Sequence, residues 1–320
     1  MNPNLKTRIA PTPSGLLHEG NGASFILTYA LARAHEGQIL LRIDDLDAER
    51  MRVEYLDDIF KTLDWLGIEW DEGPSSVTDF QENWSQHHRL DLYQNALEKL
   101  RHTGQKTPDG EGCIYTCQCS RKQIKEASVN GIYPQTCRFK NIDFDKKETA
   151  WRIHVPETTQ VSFNNFDLET QKIHHSPFGI HHSIGDFVVR QKNGLPAYQV
   201  ASVIDDSHFG INFLVRGVDL WTSTAAQIFL AEQFGRTEFT DSLFIHHDLL
   251  TNEQGEKLSK SKGASALAEW RKAGKTPKKL IKQAAKWLNL PEIDNLNDLI
   301  AVLKNQNYLK HPLSIFDKKA

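Results

Sequence analysis

The chain has 320 residues, of which 39% are hydrophobic and 25% are charged, with a formal net charge of -3. This composition excludes a disordered chain and a protein that coats nucleic acid over its whole surface. The length predicts two domains, or one large domain that carries an insertion. No stretch approaches the roughly 20 apolar residues of a membrane-spanning helix, and the first residues lack a secretory signal pattern. We therefore expect a cytoplasmic protein.

The predicted elements begin with alternating strands and helices. Hydrophobic spacing predicts a strand at 7–10, a helix at 22–35, a strand at 38–43 and a helix at 53–66. After a Pro/Gly break and a helix at 85–100, a Cys-rich, loop-rich stretch follows. Alternation resumes with strands at 186–190, 211–216 and 243–246 and helices at 198–205 and 224–234. The pattern predicts an α/β fold in which two halves of one parallel sheet flank an insertion.

We divide the chain into four ranges. Residues 1–74 form the first half of the sheet domain, 75–184 the insertion, 185–250 the second half, and 251–320 a helical C-terminal region in which Pro277 lies near the first turn of a helix.

Positive charge is concentrated in the last range, which contains about twice as many Lys and Arg as Asp and Glu. Such a segment can face the phosphates of a nucleic acid. The alternative is that its lysines only solvate the outer faces of helices. This alternative concerns the lysines between 272 and 286, which are Lys272, Lys275, Lys278, Lys279, Lys282 and Lys286.

A Pro/Gly-rich turn at 11–22 follows the first predicted strand and places His18 at the start of a helix. Backbone amides and the positive end of a helix suit a phosphate, and glycines allow its close approach. Taken alone, this pattern is more often that of an ordinary turn with a capping or surface histidine.

A second cationic element lies at 255–263, where three lysines occupy a short loop bounded by glycines. Lysines on such a loop suit a triphosphate, because they can stabilise charge that shifts during a reaction. A solvated loop is the alternative explanation for a charge run alone.

The two elements occur in an order that resembles class I aminoacyl-tRNA synthetases. Segments 8–15, 42–45, 70–74 and 215–217 resemble motifs of glutamyl-tRNA synthetases, so the resemblance covers nearly the whole chain. The tetrapeptide 18–21 is similar to the HIGH signature with Asn21 in the last position, and 257–261 is similar to KMSKS with Leu258 for Met. The resemblance implies a Rossmann-like catalytic domain that forms an aminoacyl-adenylate from ATP, with magnesium, and an amino acid.

The resemblance also assigns roles to individual residues. It implies catalytic roles for His18, Lys257 and Lys260. It implies glutamate binding by Arg8, Ala10, Thr12, Asp44, Tyr198 and Arg216, since arginines pair with carboxylates. It implies ATP binding by Pro11, His18, Gly20, Asn21, Lys257, Ser259 and Lys260. Without the resemblance, the two arginines would be interpreted as surface ion-pair residues and the tyrosine as a packed aromatic.

Asp44 departs from the family pattern, which has Glu at this position to meet the α-ammonium of the substrate. An aspartate is shorter by one carbon–carbon bond, about 1.5 Å. A bridging water or a displaced backbone can restore the contact, or the site accepts another amino acid.

Four cysteines lie between 113 and 137, which is unlike a disulfide framework spread through a secreted domain and indicates a metal site. Segments 115–121 and 133–138 resemble the zinc segment of glutamyl-Q tRNA(Asp) synthetases, which implies zinc ligation by Cys117, Cys119, Tyr133 and Cys137. Coordination chemistry alone favours Cys113 over Tyr133, because thiolate is the commoner zinc ligand. We predict Tyr133 and keep Cys113 as the alternative; four reduced cysteines without metal are a further alternative.

About sixty residues follow the lysine loop, which we interpret as too few for the anticodon-binding region of full-length glutamyl enzymes. Resemblance to the glutamyl-Q group implies transfer of glutamate to queuosine in the anticodon of tRNA(Asp), by a protein that we expect to be a monomer. Two alternatives stay open. They are a synthetase-like enzyme for another amino acid or acceptor, and a catalytically inactive zinc-bearing tRNA-binding paralogue.

Overall fold

A parallel strand–helix–strand unit begins the chain in the computed structural model, which describes residues 5–47, 49–103, 113–128, 131–175, 177–250, 266–306 and 308–309. The first strand β1 (Lys6–Ile9) pairs in parallel with β2 (Gln38–Leu41) across helix α1 (Glu19–Ala34). Helix α2 (Val53–Leu66) follows and ends at Gly67, whose φ of 71° is the left-handed conformation that glycine adopts without strain. These elements confirm the predicted order.

The second half of the sheet contains helix α7 (Tyr198–His208), strand β10 (Phe213–Gly217), helices α8 (Trp221–Phe234) and α9 (Thr237–Thr240), and strand β11 (Leu243–His247). Strands β10 and β11 pair in parallel. Asn212 joins the halves, because its backbone N–H donates to the Lys6 carbonyl (3.0 Å) and its side-chain oxygen accepts from the Lys6 N–H (2.9 Å). These bonds hold the first residue of β1 beside the residue that precedes β10.

The range 75–184 begins with helix α3 (Val77–Asp79), a π-helical turn (Phe80–Trp84) and a 3-10 turn (Gln86–Arg89) that leads into α4 (Leu90–Thr103). The predicted helix at 85–100 is therefore displaced towards the C-terminus. The remaining elements are β3 (Ile114–Cys117), α5 (Arg121–Ala127), β4 (Ala150–Ile153), β5 (Gln160–Val161), β6 (Asn164–Asp167), β7 (Lys172–His174), β8 (Phe178–Gly179) and α6 (His181–Ile184).

Two strands pair differently from the sequence interpretation. Strand β9 (Phe187–Arg190), expected to resume the parallel sheet, pairs antiparallel with β4, which in turn pairs with β3. Strand β6, within the range predicted as an insertion, pairs in parallel with β11 and antiparallel with β7. Alternating hydrophobicity identifies a strand but not its partner, because the partner is set by contacts distant in sequence.

Helices α10 (Leu267–Lys272), α11 (Lys278–Trp287) and α12 (Leu296–Asn305) form the described C-terminal part, and Pro277 directly precedes α11 as predicted. Their apolar faces pack on α1, where a Cβ on Gly22 would lie 2.8 Å from the Leu280 side chain. Lys279 pairs with Glu19 at 2.9 Å. Among the described residues, no helix is long and apolar enough to cross a membrane.

Candidate active site

A cleft of about 280 Å³ lies where the carboxyl ends of β1 and β10 meet the amino end of α1. It brings together seven of the residues predicted to bind glutamate or ATP. They are Arg8, Ala10, His18, Gly20, Asn21, Tyr198 and Arg216. The carboxyl edge of a parallel sheet is the usual location of a ligand site in α/β folds, because strand ends and helix amino ends converge there.

His18 is the N-cap of α1, which explains why the helix begins three residues before the predicted start. Its Nδ1 accepts hydrogen bonds from the backbone N–H groups of Gly20 (3.1 Å) and Asn21 (3.4 Å). Since Nδ1 accepts, the proton of the neutral ring is on Nε2. A donor at Nε2 beside a helix amino end is suited to a phosphate oxygen.

Asn21 completes a capping box with His18. Its side-chain oxygen accepts from the His18 backbone N–H at 3.1 Å. Such a reciprocal pair fixes the first turn of the helix. The asparagine that departs from the family signature therefore holds His18 in place.

Arg216 is the most unusual charged group of the cleft, because it is 4% exposed and its described hydrogen-bond partners are neutral. Its Nη1 donates to Gln227 Oε1 (2.8 Å) and Thr224 Oγ1 (3.2 Å), whereas Nε and Nη2 have no partner among the described residues. Burial, followed by the like charge of Arg8, lowers the pKa of Arg216 to about 10. A buried cation with unused donors is suited to an anionic ligand.

Arg8 differs from Arg216 because its charge is compensated within the protein. Asp206, on α7, accepts from Arg8 Nε (3.1 Å) and from Arg42 Nη1 (2.6 Å) through one carboxylate oxygen. Arg42 also binds both carboxylate oxygens of Asp44, at 2.7 and 3.1 Å. We call Arg8, Asp206, Arg42 and Asp44 the ion-pair chain. It aligns the ends of β1, β2 and α7.

Asp44 therefore uses its carboxylate within the ion-pair chain. Burial raises the pKa of its carboxyl group, and the charge of Arg42 offsets this only in part. Asp44 and Thr12 line a second cavity of about 810 Å³ beside the cleft. Tyr198 lines both cavities, so they adjoin at its ring.

Helix α7 carries Tyr198 at its first turn and is anchored near its other end by Asp205. The Asp205 carboxylate accepts from Arg89 (2.9 and 3.1 Å), from Tyr93 (2.7 Å) and from Gln86 (2.9 Å). Burial raises the pKa of Asp205, but the hydrogen bond and charge of Arg89, with the charge of Arg42, outweigh it and keep the pKa below its ordinary value.

The opposite wall of the cleft includes two residues that the sequence did not suggest. His247 stacks on Trp287, with ring centroids 4.0 Å apart. Its Nδ1 donates to the Asp248 carbonyl (2.8 Å), so Nε2 accepts from the Ser24 hydroxyl (2.9 Å). Burial lowers the pKa of His247, which keeps the ring neutral. The C-terminal helices thus contribute directly to the cleft.

Four other residues were predicted to bind ATP. Pro11 is buried behind the cleft, and its carbonyl accepts from the Asp44 N–H at 2.9 Å. Lys257, Ser259 and Lys260 lie outside the described residues.

Three of the four cysteines form a cluster. The sulfurs of Cys117, Cys119 and Cys137 lie within 4.8 Å of one another, with Cys119 and Cys137 at 3.4 Å. Donors at roughly 2.3 Å from a tetrahedral zinc ion are about 3.8 Å apart. The three thiols therefore fit a zinc ion, which would crosslink the segment that follows β3 to the turn around Cys137.

Tyr133 lies in this cluster, whereas Cys113 does not. The Tyr133 hydroxyl is 3.3 Å from Cys117 Sγ, 3.7 Å from Cys119 Sγ, and accepts from the Cys137 N–H at 3.0 Å. The Arg152 guanidinium lies 3.7 Å from the centre of the tyrosine ring. Cys113 is in a different apolar cluster and donates to the Leu100 carbonyl at 3.4 Å. This geometry favours Tyr133 as the fourth ligand.

The first prediction concerns metal content. We expect about one zinc per chain in protein purified without chelators, and a large loss of zinc in Cys117→Ser, because one thiolate of the donor set is removed. Cys113→Ser is the matched control and is expected to retain the metal. Elemental analysis after gel filtration gives the measurement. Retention by Cys117→Ser together with loss from Cys113→Ser would contradict the assignment, and Tyr133→Phe tests the fourth ligand.

Comparison with known proteins identifies the family of this fold. Residues 4–319 match the family described as tRNA synthetases class I (E and Q), catalytic domain. The chain belongs to this family. It is therefore a ligase-type enzyme of the aminoacyl-tRNA synthetase class, whose members act on ATP, an amino acid and tRNA.

Relatives within the family show similarity over most of their length. The chain is 33% identical to the glutamyl-Q tRNA(Asp) synthetase of Deinococcus radiodurans, covering 89% of each chain. It is 34% identical to the protein of the same name from Symbiobacterium thermophilum, covering 96% of this chain and 95% of that one. The glutamate–tRNA ligase of the latter organism is 31% identical, but only 56% of its length is covered.

A solved structure supports the fold. The glutamate-tRNA synthetase of Elizabethkingia anophelis has a TM-score of 0.72 with 21% identity, covering 97% of this chain and 71% of that chain. The architecture is therefore the class I synthetase fold.

Proposed function

We propose that this protein converts glutamate and ATP to glutamyl-adenylate and transfers the glutamate to queuosine in the anticodon of tRNA(Asp). The observation that carries the activation step is Arg216, a buried cation at the end of β10 with two donor atoms that have no partner among the described residues. An acidic amino acid supplies the carboxylate that such a site lacks. The transfer step is supported by the names of relatives that match over most of their length.

In the proposed reaction, Arg216, Arg8, Tyr198, Ala10 and Thr12 bind glutamate. Its α-carboxylate attacks the α-phosphorus of ATP, and the bond to pyrophosphate breaks. The amino end of α1 and the Nε2 proton of His18 stabilise charge on the phosphate oxygens, because they are preorganised beside the cleft. We assign further ATP contacts to Gly20, Asn21, Lys257, Ser259 and Lys260, but not to Pro11, which does not line the cleft.

Transfer requires a hydroxyl of the acceptor nucleoside to attack the glutamyl carbonyl carbon, which releases AMP. The cavity of about 810 Å³ adjoins the cleft at Tyr198 and extends from Thr12 to Cys119. Its size suits a nucleoside, since ligand pockets commonly measure about 300–1,000 Å³. We therefore assign the acceptor to this cavity, beside the segment held by the proposed zinc ion.

A second candidate function is activation of a different amino acid, and Asp44 is the observation that favours it. Both Asp44 oxygens are engaged by Arg42, so the residue is less available to a substrate ammonium than the longer glutamate of the family. An ATP–pyrophosphate exchange screen across amino acids, without tRNA, separates the candidates. We expect exchange with glutamate alone.

The second prediction tests the acceptor. We expect incubation with ATP, glutamate and queuosine-containing tRNA(Asp) to give glutamyl-queuosine in nucleoside mass spectrometry, with no product on the same tRNA carrying guanosine at that position. The 3′ end of tRNA(Glu) should stay uncharged. Efficient 3′ charging of tRNA(Glu), without a queuosine product, would contradict the proposed acceptor but leave glutamate activation intact.

A further inference from the structure

The surroundings of Arg216 contain no carboxylate partner for it among the described residues. Its Nη1 is held by Gln227 and Thr224, both on α8 and both fully buried. Arg8, the other arginine of the cleft, is instead bound to Asp206. Within the described part of the chain, the protein therefore binds one cleft arginine to a carboxylate and holds the other by hydrogen bonds to neutral acceptors, while the charge of Asp206 acts on Arg216 without a hydrogen bond.

A chain of neutral hydrogen bonds supports Thr224. His246 Nδ1 lies 2.6 Å from the Asn165 side-chain oxygen and therefore donates to it, which leaves Nε2 as an acceptor. The single proton of the Thr224 hydroxyl has two acceptors within reach, Nε2 at 2.8 Å and the Leu220 carbonyl at 3.2 Å, and we assign it to the closer Nε2. The hydroxyl oxygen is then directed to accept from Arg216. Burial, followed by the charge of Arg216, lowers the pKa of His246 to about 3, so the ring adds no charge at neutral pH.

The position of Gln227 matters most, because glutamate is nearly isosteric with glutamine. A carboxylate at this position would lie about as close to Arg216 as the amide oxygen does, at 2.8 Å. It would form a buried ion pair and neutralise the guanidinium. The amide oxygen fixes the guanidinium but leaves its positive charge for a ligand.

We propose that Gln227 and Thr224 are positioning residues that hold Arg216 through neutral acceptors, and that Gln227 sets the preference for an acidic over an amide amino-acid side chain. The inference rests on the proposed function, because it takes glutamate as the ligand of Arg216. It extends that function to a specificity determinant that does not itself touch the substrate.

The deciding variant is Gln227→Glu, measured by ATP–pyrophosphate exchange with glutamate and with glutamine. The new carboxylate competes with that of glutamate, so the KM for glutamate is expected to rise by at least about tenfold. The ratio of kcat/KM for glutamate to that for glutamine is expected to fall by a similar factor. A merely structural defect would lower kcat/KM for glutamate and for glutamine by the same factor, which leaves their ratio unchanged.

Three further variants separate charge from packing. Gln227→Met removes the acceptor without adding charge, so it should raise the KM for glutamate while largely keeping the substrate ratio. Thr224→Val should raise this KM with a smaller change in kcat, and Thr224→Ser should restore it because the hydroxyl returns. Gln233→Glu adds the same charge on α8 in a half-buried position and should leave the substrate ratio unchanged.

Thermal unfolding gives a readout independent of catalysis. Gln227→Glu is expected to keep the melting temperature of the free protein but to lose the stabilisation that glutamate confers. Wild-type protein without glutamate-dependent exchange would refute the proposed function and this inference with it. Active wild-type protein with an unchanged substrate ratio in Gln227→Glu would refute the inference alone.

Discussion

Replacing Arg216 by methionine is expected to raise the KM for glutamate by at least about 100-fold, because a buried substrate carboxylate would lose its charged hydrogen bonds. The guanidinium atoms Nε and Nη2, which have no partner in the part of the chain that the structure describes, are those available to the ligand. Methionine has a similar length and fills the apolar part of the site. Exchange kinetics with varied glutamate give the measurement.

The same substitution is expected to raise the melting temperature of the substrate-free protein. The pKa of Arg216 is lowered to about 10, so its charged form is less favourable in the folded than in the unfolded state. This penalty is fully present at neutral pH, where the side chain is charged in both states. Loss of activity with gain of stability would show that the cation is retained for its ligand.

Arg190→Met is the matched control. Arg190 stacks on Trp151 at 4.8 Å and lies outside the cleft, so its removal should leave the KM for glutamate unchanged. An Arg216→Met enzyme with nearly normal KM would mean that another group binds the substrate carboxylate.

Asp206→Asn is expected to destabilise the protein by about 3–5 kcal/mol, the range for breaking a buried ion pair from one side. One oxygen of Asp206 serves both Arg8 and Arg42, and its carboxylate is fully buried. An amide oxygen can still accept a hydrogen bond, but it leaves two buried arginines with less compensating charge. Urea unfolding gives the measurement, and the KM for glutamate should also rise because Arg8 loses its anchor.

Asp57→Asn removes a carboxylate of the same size from the solvent-exposed pair with Lys61. Exposed ion pairs contribute about 0–1 kcal/mol to stability. The free energy of unfolding of this control variant should therefore be close to that of the wild-type protein. If Asp206→Asn lowers the free energy of unfolding by less than about 1 kcal/mol, the stability of the ion-pair chain does not depend on this carboxylate.

Local patterns in the sequence were sufficient to predict most of the strands and helices around the cleft. Apolar spacing predicted β1, α1, β2 and α2 in their correct order. Burial of one face of an element gives a periodic pattern of apolar residues that is visible in the sequence. The resemblance of short motifs to those of glutamyl-tRNA synthetases separately indicated Arg8 and Arg216, and the grouping of the cysteines indicated a metal site. Each of these signals lies within a short segment or in the order of such segments.

Only the tertiary structure decided which partners Arg8 and Arg216 have, and which of the two is paired with a carboxylate. The pair Asp205-Asp206 directly after the mainly apolar run 200–204 was a usable sign of buried ion pairs, but nothing in the sequence connected it to Arg89 or to Arg8. The partners of Arg216 come from a helix, and the support for Thr224 comes from two further strands. Whether an arginine is compensated depends on distances set by the whole fold, because electrostatic interactions join groups by proximity in space and not in sequence.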